Sequence, residues 1–157
     1  MSSRREFIQQ GGVSLFSLYL LTHTAHSGQS KSDFEGLVVN EDEGEALQWR
    51  DGTAIVRIKV SRAQRANSVS FLSESFRPGD AIPVHKHLHE DELIFVHKGS
   101  GIFTLGETEC SVTEGSVALV PNGVWHGLQN TGTENIEMRF AYTPAGFEGW
   151  FRELAPR

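Results

Sequence analysis

The chain has 157 residues, a formal net charge of −6 and a single cysteine. This length suits one domain with a substantial hydrophobic core. The acidic balance excludes the basic surplus that nucleic-acid binding requires, and a lone cysteine excludes an internal disulfide. We therefore expect a single folded domain whose partner is a small-molecule substrate, with no nucleic acid bound.

Residues 1–27 have the organisation of an export signal. The run Ser3-Arg4-Arg5-Glu6-Phe7-Ile8 resembles the twin-arginine motif, and the apolar stretch 11–21 that follows is too short to span a bilayer. We predict a twin-arginine signal peptide over 1–27 that engages the twin-arginine export machinery and is cleaved near Ser27. The mature protein would be periplasmic or secreted, in a bacterium, with no stable membrane span. The alternative interpretation is a short N-terminal helix of the fold.

Residues 28–53 are polar, acidic and only weakly patterned. They are predicted to form a linker that runs into an edge strand. The alternative is an arm that reaches over a neighbouring subunit.

Residues 54–143 carry the pattern of an all-β domain. In the first segment Val56, Ile58 and Val60 alternate with Arg57 and Lys59, which predicts a half-buried strand. About nine such short segments follow one another, separated by glycine-containing turns and without a helical period. This arrangement is typical of a single β-barrel of the double-sheet jelly-roll type.

The last segment, 144–157, has a helical pattern. Its apolar residues Phe147, Trp150, Phe151 and Leu154 fall at i, i+3, i+4 and i+7, on one face of a helix. We predict a short C-terminal amphipathic helix that packs on the outside of the barrel. The alternative is a lid over a pocket.

Three histidines and one glutamate have the spacing of metal ligands. Because alternate residues of a strand share a face, His85 and His87 are expected to point the same way. Glu92 can reach them from a neighbouring strand and His126 from a third, aimed by the turn at 121–123. Imidazole suits iron, copper, nickel and zinc, and a carboxylate favours iron or manganese. We predict that the four residues bind one divalent transition metal ion per chain, with iron or manganese favoured over nickel, copper or zinc.

The two segments that contain these ligands resemble the paired motifs of the cupin superfamily. The resemblance covers residues 50–145, and ten motif positions match: Gly79, His85, His87, Glu92, Gly99, Gly115, Pro121, Gly123, His126 and Asn130. It implies a small β-barrel that holds a metal ion. The chain is similar in particular to the quercetin dioxygenase-like cupins, whose members include metal-dependent oxygenases.

Strand alternation also predicts what surrounds the metal ligands. If His85, His87, Glu92 and His126 face inward, six apolar or aromatic residues share their faces or the inner face of the last strand: Ile94, Val96, Leu128, Met138, Phe140 and Tyr142. No lysine or arginine falls on an inward face by this count. The pattern favours an apolar or aromatic substrate over a phosphorylated or polyacidic one.

On the same strand Leu93 and Phe95 face outward. A strand that is apolar on both faces is covered on both, either by the N-terminal segment or by a second subunit. We predict a homodimer.

Several other residues have two interpretations. His89 is interpreted as a residue at the mouth of the pocket, with metal binding as the alternative, and His97 as a surface residue. Glu90 and Asp91 are less well spaced rivals of Glu92. Cys110 shares a strand face with Val112 and is predicted to be buried, with a reactive thiol as the alternative.

Three functions fit this site. The first is a metal-dependent, dioxygenase-like oxidoreductase that acts on a small apolar or aromatic enol or enolate, with Glu92 as both ligand and catalytic base. The second is a redox-neutral cupin isomerase, lyase or decarboxylase. The third is a non-catalytic periplasmic module that binds a metal or ligand.

Overall fold

Ten β-strands and one α-helix make up the part of the chain that the structure, a computed structural model, describes: residues 36–49 and 54–155. The predicted signal peptide 1–27 lies outside these residues. In chain order the elements are β1 (Glu45–Trp49), β2 (Ala54–Val60), β3 (Ser70–Phe76), β4 (Ala81–His85), β5 (Asp91–Lys98), β6 (Ser100–Leu105), β7 (Thr108–Thr113), β8 (Val117–Val120), β9 (His126–Gln129), β10 (Ile136–Thr143) and α1 (Glu148–Leu154).

The strands form two antiparallel sheets. One has six strands in the order β1-β2-β3-β10-β5-β8, and the other has four in the order β4-β9-β6-β7. The predicted double-sheet jelly roll with a short C-terminal helix is therefore confirmed. None of the helices in the two described ranges has the length and apolar character that a membrane crossing requires.

The core lies between the inner faces of the two sheets. Along β10 the alternate residues Ile136, Met138, Phe140 and Tyr142 are all buried, as the period of two along a strand requires. Burying one large apolar side chain stabilises the fold by about 1.5–3 kcal/mol. This alternation orients the residues that line the cavity.

Two glycines of the paired motifs occupy backbone conformations that favour glycine. Gly99, between β5 and β6, has φ +89°, and a Cβ there would lie 2.6 Å from the carbonyl oxygen of Asn135. Gly123 has φ +80° and donates its backbone N–H to the carbonyl of His87 at 2.7 Å. Both positions favour glycine for its left-handed backbone, and the second ties the His87 loop to the turn before β9.

Asn130 links the ends of three strands. Its side chain is buried and donates to the carbonyls of Phe76 and Glu134 at 3.1 and 2.9 Å, while its Oδ1 accepts from the backbone N–H of Gly132. Its backbone N–H donates to the carbonyl of Asp80. Asn130 therefore connects the end of β3, the turn before β4 and the turn before β10. It is not a member of the ligand cluster.

The alternation predicted for β2 is wrong at its end. A register shift between Ile58 and Val60 interrupts the pairing with β3, and Lys59 is buried instead of exposed. Its Nζ donates to the carbonyls of Asn40 and Glu43 at 2.7 and 2.8 Å, and also to that of Glu41. The bulge thus orients the side chain of Lys59 so that it hydrogen-bonds to the backbone of residues 40–43, just before β1.

The buried position predicted for Cys110 is also wrong. Cys110 is exposed, as is most of β7. The reason is that β7 is an edge strand of the smaller sheet, where a side chain on the same face as a buried residue can still be exposed to solvent.

Candidate metal centre

The structure brings together the four predicted ligands. His85 at the end of β4 pairs in register with His126 at the start of β9, and Glu92 reaches them from β5 in the opposite sheet. His87 lies two residues beyond β4, so it joins them from a loop and not by the strand alternation that was predicted. The potential ligand atoms all lie within 4.8 Å of one another. The cluster thus spans both sheets of the barrel.

The glutamate is the centre of the cluster. Its Oε2 lies 2.9 Å from Nε2 of His126 and 3.2 Å from Nε2 of His87. Glu92, His87 and His126 are each at most 3% exposed, and His85 is partly exposed. Solvent therefore reaches the cluster mainly from the His85 side.

Backbone carbonyls fix two of the imidazoles. Nδ1 of His126 lies 3.0 Å from the carbonyl of Val124, and Nδ1 of His85 lies 2.8 Å from that of Pro83. A carbonyl only accepts, so each Nδ1 carries the proton and a neutral ring presents the lone pair of Nε2. In His126 that lone pair faces a carboxylate oxygen at 2.9 Å, and two acceptors this close require a cation between them. A proton or a metal ion would satisfy them, and a set of three imidazoles and one carboxylate suits a transition metal ion.

The electrostatics favour an ionised ligand set. Burial by itself would raise the pKa of Glu92, but the hydrogen bonds with His126 and His87 outweigh it and lower that pKa to about 2. Burial lowers the pKa of His85, which favours the neutral imidazole. Nδ1 of His87 is buried without a hydrogen-bond partner in the described part of the chain. A carboxylate and neutral imidazoles are the forms that bind metals.

Tyr142 supports the glutamate from β10. It pairs in register with Glu92, and its hydroxyl hydrogen-bonds to that side chain. Burial, followed by the charge of Glu92, raises the pKa of Tyr142 well above its usual value, so the hydroxyl keeps its proton. Its ring also contacts His87, with the centroids 5.0 Å apart.

A cavity of about 270 Å³ opens from the cluster into the barrel. Of the six predicted pocket residues, five line it: Ile94, Leu128, Met138, Phe140 and Tyr142. Val96 is buried in the core but lies outside the cavity lining, so its predicted place in the pocket is wrong. Val96 pairs with Met138, and Ile94 pairs with Phe140 two residues along each strand. Of the Val96–Met138 pair, only Met138 is among the described residues that line the cavity.

Further residues that were not in the predicted pocket line the cavity. Phe147, Trp150 and Phe151, around and within α1, line the cavity, and the Phe147 ring lies 4.2 Å from the His87 ring between centroids. The helix therefore covers one side of the cavity, which favours the alternative interpretation of a lid over a pocket rather than packing on the outside of the barrel. Their helical spacing was visible, but the sequence does not reveal what that face contacts.

Glu74 of β3 is a cavity residue that was not predicted from the sequence. Glu74 is 3% exposed and lines the cavity. It falls on the same strand face as the buried Leu72 and Phe76, so an acidic residue interrupting an alternating apolar strand was the available signal.

The other candidate residues stand apart from the cluster. His89 and His97 are exposed. Asp91 accepts hydrogen bonds from the backbone N–H and the side-chain amide of Asn122 at 2.8 and 3.0 Å. Among the described residues these histidines and Asp91 are not members of the metal-ligand group.

Comparisons with curated proteins give short matches. The chain is 30% identical over 60 residues to an oxalate-binding protein of Thermotoga maritima, covering 38% of this chain and 50% of that protein. It is 29% identical over 98 residues to auxin-binding protein 1 of Arabidopsis thaliana, covering 57% and 49% respectively. The chain thus spans about half the length of these curated relatives.

Comparisons with solved structures cover more of the fold. A predicted oxalate decarboxylase from Thermotoga maritima matches with a TM-score of 0.62 and 24% identity, over 69% of this chain and 99% of that one. KdgF from Halomonas sp. matches with a TM-score of 0.64 and 15% identity, over 73% and 98%. At these identities the likeness concerns the fold.

A family model described as the cupin domain matches residues 72–142. This range runs from β3 to β10 and includes all four residues of the cluster. An RmlC-like cupin from Shewanella frigidimarina has the same fold, with a TM-score of 0.58 and 16% identity over 70% of this chain and 92% of that one. The domain match shows that residues 72–142 are similar to the cupin domain, and the solved structures show that the described barrel has a cupin-like fold.

Proposed function

We propose that the protein is a metal-dependent, dioxygenase-like oxidoreductase that acts on a small apolar or aromatic enol or enolate. The observation that carries the proposal is a four-residue ligand cluster of which His85, Glu92 and His126 line a cavity of about 270 Å³. The other described lining residues of this cavity are mostly apolar or aromatic. This volume is at the small end of ligand pockets, which enclose about 300–1,000 Å³. A substrate with one ring or a short diketone fits it best.

The protein residues have separate roles in this reaction. When bound, an iron or manganese ion would supply Lewis acidity and redox chemistry for the reaction of an enolate with dioxygen. His85, His87, Glu92 and His126 would hold it. Phe147 and Tyr142 contact the ring of His87 with centroid distances of 4.2 and 5.0 Å, and these two rings shield the His87 side of the cluster from water.

Glu92 is also the proposed base for the substrate hydroxyl. Its carboxylate is ionised at neutral pH, because its pKa lies at about 2. A carboxylate of such low pKa is a weak base, so it accepts a proton efficiently only from an enol whose own pKa is lowered. The proposal therefore applies to acidic enols, such as β-diketones and hydroxyketones.

The charge of the cavity argues against a dianionic substrate. The described lining residues include two acidic side chains, Glu74 and Glu92, and no lysine or arginine. The proposed divalent ion would at most balance these two carboxylates, so the charge of a buried dianion would remain uncompensated, which is costly. Oxalate, which the names of two relatives mention, is for this reason not the substrate that we propose.

Oxygen consumption tests the proposed reaction. Iron- or manganese-loaded protein is mixed with pentane-2,4-dione in an oxygen electrode, beside His126→Ala as the control. We expect substrate-dependent oxygen uptake by the wild type and none by the variant. Proton exchange at the substrate without oxygen uptake would indicate the redox-neutral alternative. Metal binding without either reaction would indicate a non-catalytic binding module.

We also propose that the protein is a homodimer. Leu93 and Phe95 on the outer face of β5 pair with Leu119 and Val117 of β8, and all four are at least 38% exposed. Such a contiguous apolar patch supports an interface. Sedimentation at micromolar concentration should give a dimer, and Leu93→Asp should give a monomer. A monomeric wild type would contradict the proposal.

Export by the twin-arginine route is a third proposal, supported by the motif at Arg4 and Arg5. Because this route carries folded proteins, iron or manganese could be bound before copper and zinc compete for the site. Fractionation of the native bacterium should place the protein outside the cytoplasm, and replacing both arginines with lysine should retain it inside. Unchanged location of that variant would contradict the proposal.

A further inference from the structure

The cavity has a second acidic residue, Glu74, away from the metal cluster. Glu74 pairs with Val56 of β2 on one side and with Met138 of β10 on the other, and both neighbours are at most 2% exposed. Leu72 and Phe76, its neighbours on the same strand face, are completely buried. A carboxyl group thus stands within an otherwise apolar part of the inner sheet face.

The register of the strands sets how far apart the two acidic residues lie. Ser70, Tyr142 and Glu92 form one row across β3, β10 and β5, whereas Glu74 and Met138 lie in another row. Four residues of β3 separate the rows, which corresponds to about 13 Å along the strand. Both acidic residues line one continuous cavity, so the cavity has room for a ligand that reaches from the metal cluster to Glu74.

The chemistry of Glu74 differs from that of its surroundings. A carboxylate has about four acceptor sites and no donor, so contacts within the protein leave room for a further hydrogen bond from a ligand. The charge of Glu74 also acts on the cavity, because it is one of the smaller causes, after burial and Glu92, that raise the pKa of Tyr142. No lysine or arginine is among the described residues that line the cavity.

We propose that Glu74 is a specificity-determining residue that binds a hydroxyl or ammonium group on the part of the substrate remote from the metal cluster. The substrate class is then a small ring that has chelating oxygens at one end and a hydrogen-bond donor at the other, neutral or cationic overall. This inference rests on the proposed function for the chelating end, whereas the Glu74 end stands on the cavity geometry alone.

A matched pair of ligands tests the contact. The two probes are 5-hydroxy-2-(hydroxymethyl)-4-pyranone and 5-hydroxy-2-methyl-4-pyranone, which share the chelating oxygens and differ by one hydroxyl. Their affinities are measured calorimetrically and without oxygen on manganese-loaded wild type, Glu74→Gln and Glu74→Met. Methionine matches the apolar surroundings and the size of glutamate, and manganese content and melting temperature check that each variant folds.

We expect the wild type to bind the hydroxymethyl compound about tenfold or more tightly than the methyl compound, as for a hydrogen bond to a charged acceptor. The preference should fall in Glu74→Gln, whose amide retains one neutral acceptor, and disappear in Glu74→Met. Equal preferences in the wild type and Glu74→Met would overturn the inference. If the methyl compound binds only in the presence of metal, that result supports the proposed function independently.

A third probe separates the two proposals. Benzylamine has a ring and a donor but no chelating oxygens, so it needs no metal. It should raise the melting temperature of the metal-free wild type and not that of Glu74→Met, whereas binding at Glu92 would persist in that variant. Benzylamine binding that requires Glu74, with no binding of either pyranone, would leave the inference standing and contradict the proposed function. Failure of all three probes would contradict both.

Discussion

The two ends of the cavity are built in opposite ways. At one end four polar side chains from both sheets and a loop approach one another, with Glu92 Oε2 2.9 Å from Nε2 of His126. At the other end Glu74 lies between Val56 and Met138 in a row of apolar neighbours. The first end has enough metal-ligating atoms to hold an ion. At the second end, one carboxyl group is proposed to accept a hydrogen bond from the ligand and so to discriminate between ligands.

Because of this difference, we expect the ligand cluster to determine the affinity for the metal ion and Glu74 to determine which organic ligand binds. The ligand cluster depends on the mutual positions of its members, so the loss of one side chain should affect all of them. Glu74 is not a member of the ligand group in the described part of the chain, so its replacement should change which ligand binds and leave the metal in place. Each of the following predictions tests the cluster end of this comparison.

The largest effect is expected from His126→Ala. This change removes one of the four ligands and the imidazole whose Nε2 lies 2.9 Å from Oε2 of Glu92. The affinity for manganese should fall more than about a hundredfold, because even the loss of an outer-shell partner costs 10- to 100-fold. Calorimetric titration measures it, with His97→Ala as the control because His97 is exposed. Equal affinities in the two variants would show that the metal binds elsewhere.

The second prediction concerns acid. In the metal-free protein the pKa of Glu92 is about 2, below its value of about 4.5 in the unfolded chain. The ionised side chain therefore stabilises the fold above pH 4.5, and about 3 kcal/mol is lost as the pH falls from 4.5 to 2. Urea unfolding at several pH values in the presence of a chelator should show this loss. Glu92→Gln should flatten the profile, and Glu107→Gln, at an exposed site, should not.

Tyr142→Phe should have a smaller effect on the same end. The change removes the hydroxyl that hydrogen-bonds to Glu92 but keeps the ring against His87 and Phe147. Manganese affinity should fall about tenfold, as for other outer-shell partners. Unchanged affinity in a correctly folded variant would mean that this hydrogen bond does not orient the ligand.

The smallest effect is expected at the cover over the cluster. The buried Glu148 accepts hydrogen bonds from the backbone N–H groups of Arg62 and Gly146 at 3.1 and 2.7 Å. Glu148→Gln places an amide donor opposite one of them and should lower the free energy of unfolding by about 1 kcal/mol. Chemical denaturation measures it. The control is Glu153→Gln, on an exposed position of the same helix, and equal stabilities of the two variants would contradict this role.

The cluster end was largely predictable from the sequence, because its residues lie within two short segments whose glycine turns fix the local geometry. Gly123, for example, ties the His87 loop to the turn before His126 by one backbone hydrogen bond. The physical argument for His87 was nevertheless wrong, since the residue lies beyond the end of β4. Chemical type and spacing identified the cluster even where the assumed strand did not extend far enough.

At the other end Met138 and Phe140 were predicted from strand alternation, but the position of Glu74 in the cavity was not, because it depends on distant pairing. Glu74 faces the cavity only because β3 pairs with β10, more than 60 residues further along the chain. The contact of Phe147 with His87 likewise joins the C-terminal segment to the first motif. The burial of Lys59 follows from a bulge, and the exposure of Cys110 from an edge strand. None of these depends on a local pattern.

The central claim is that His85, His87, Glu92 and His126 hold one transition metal ion. Elemental mass spectrometry of the protein purified from its native host tests it most directly, beside His87→Ala. The account predicts about one equivalent of iron or manganese in the wild type and none in the variant. Copper or zinc in the wild type would contradict the proposed metal, and a wild type without metal would contradict the claim itself.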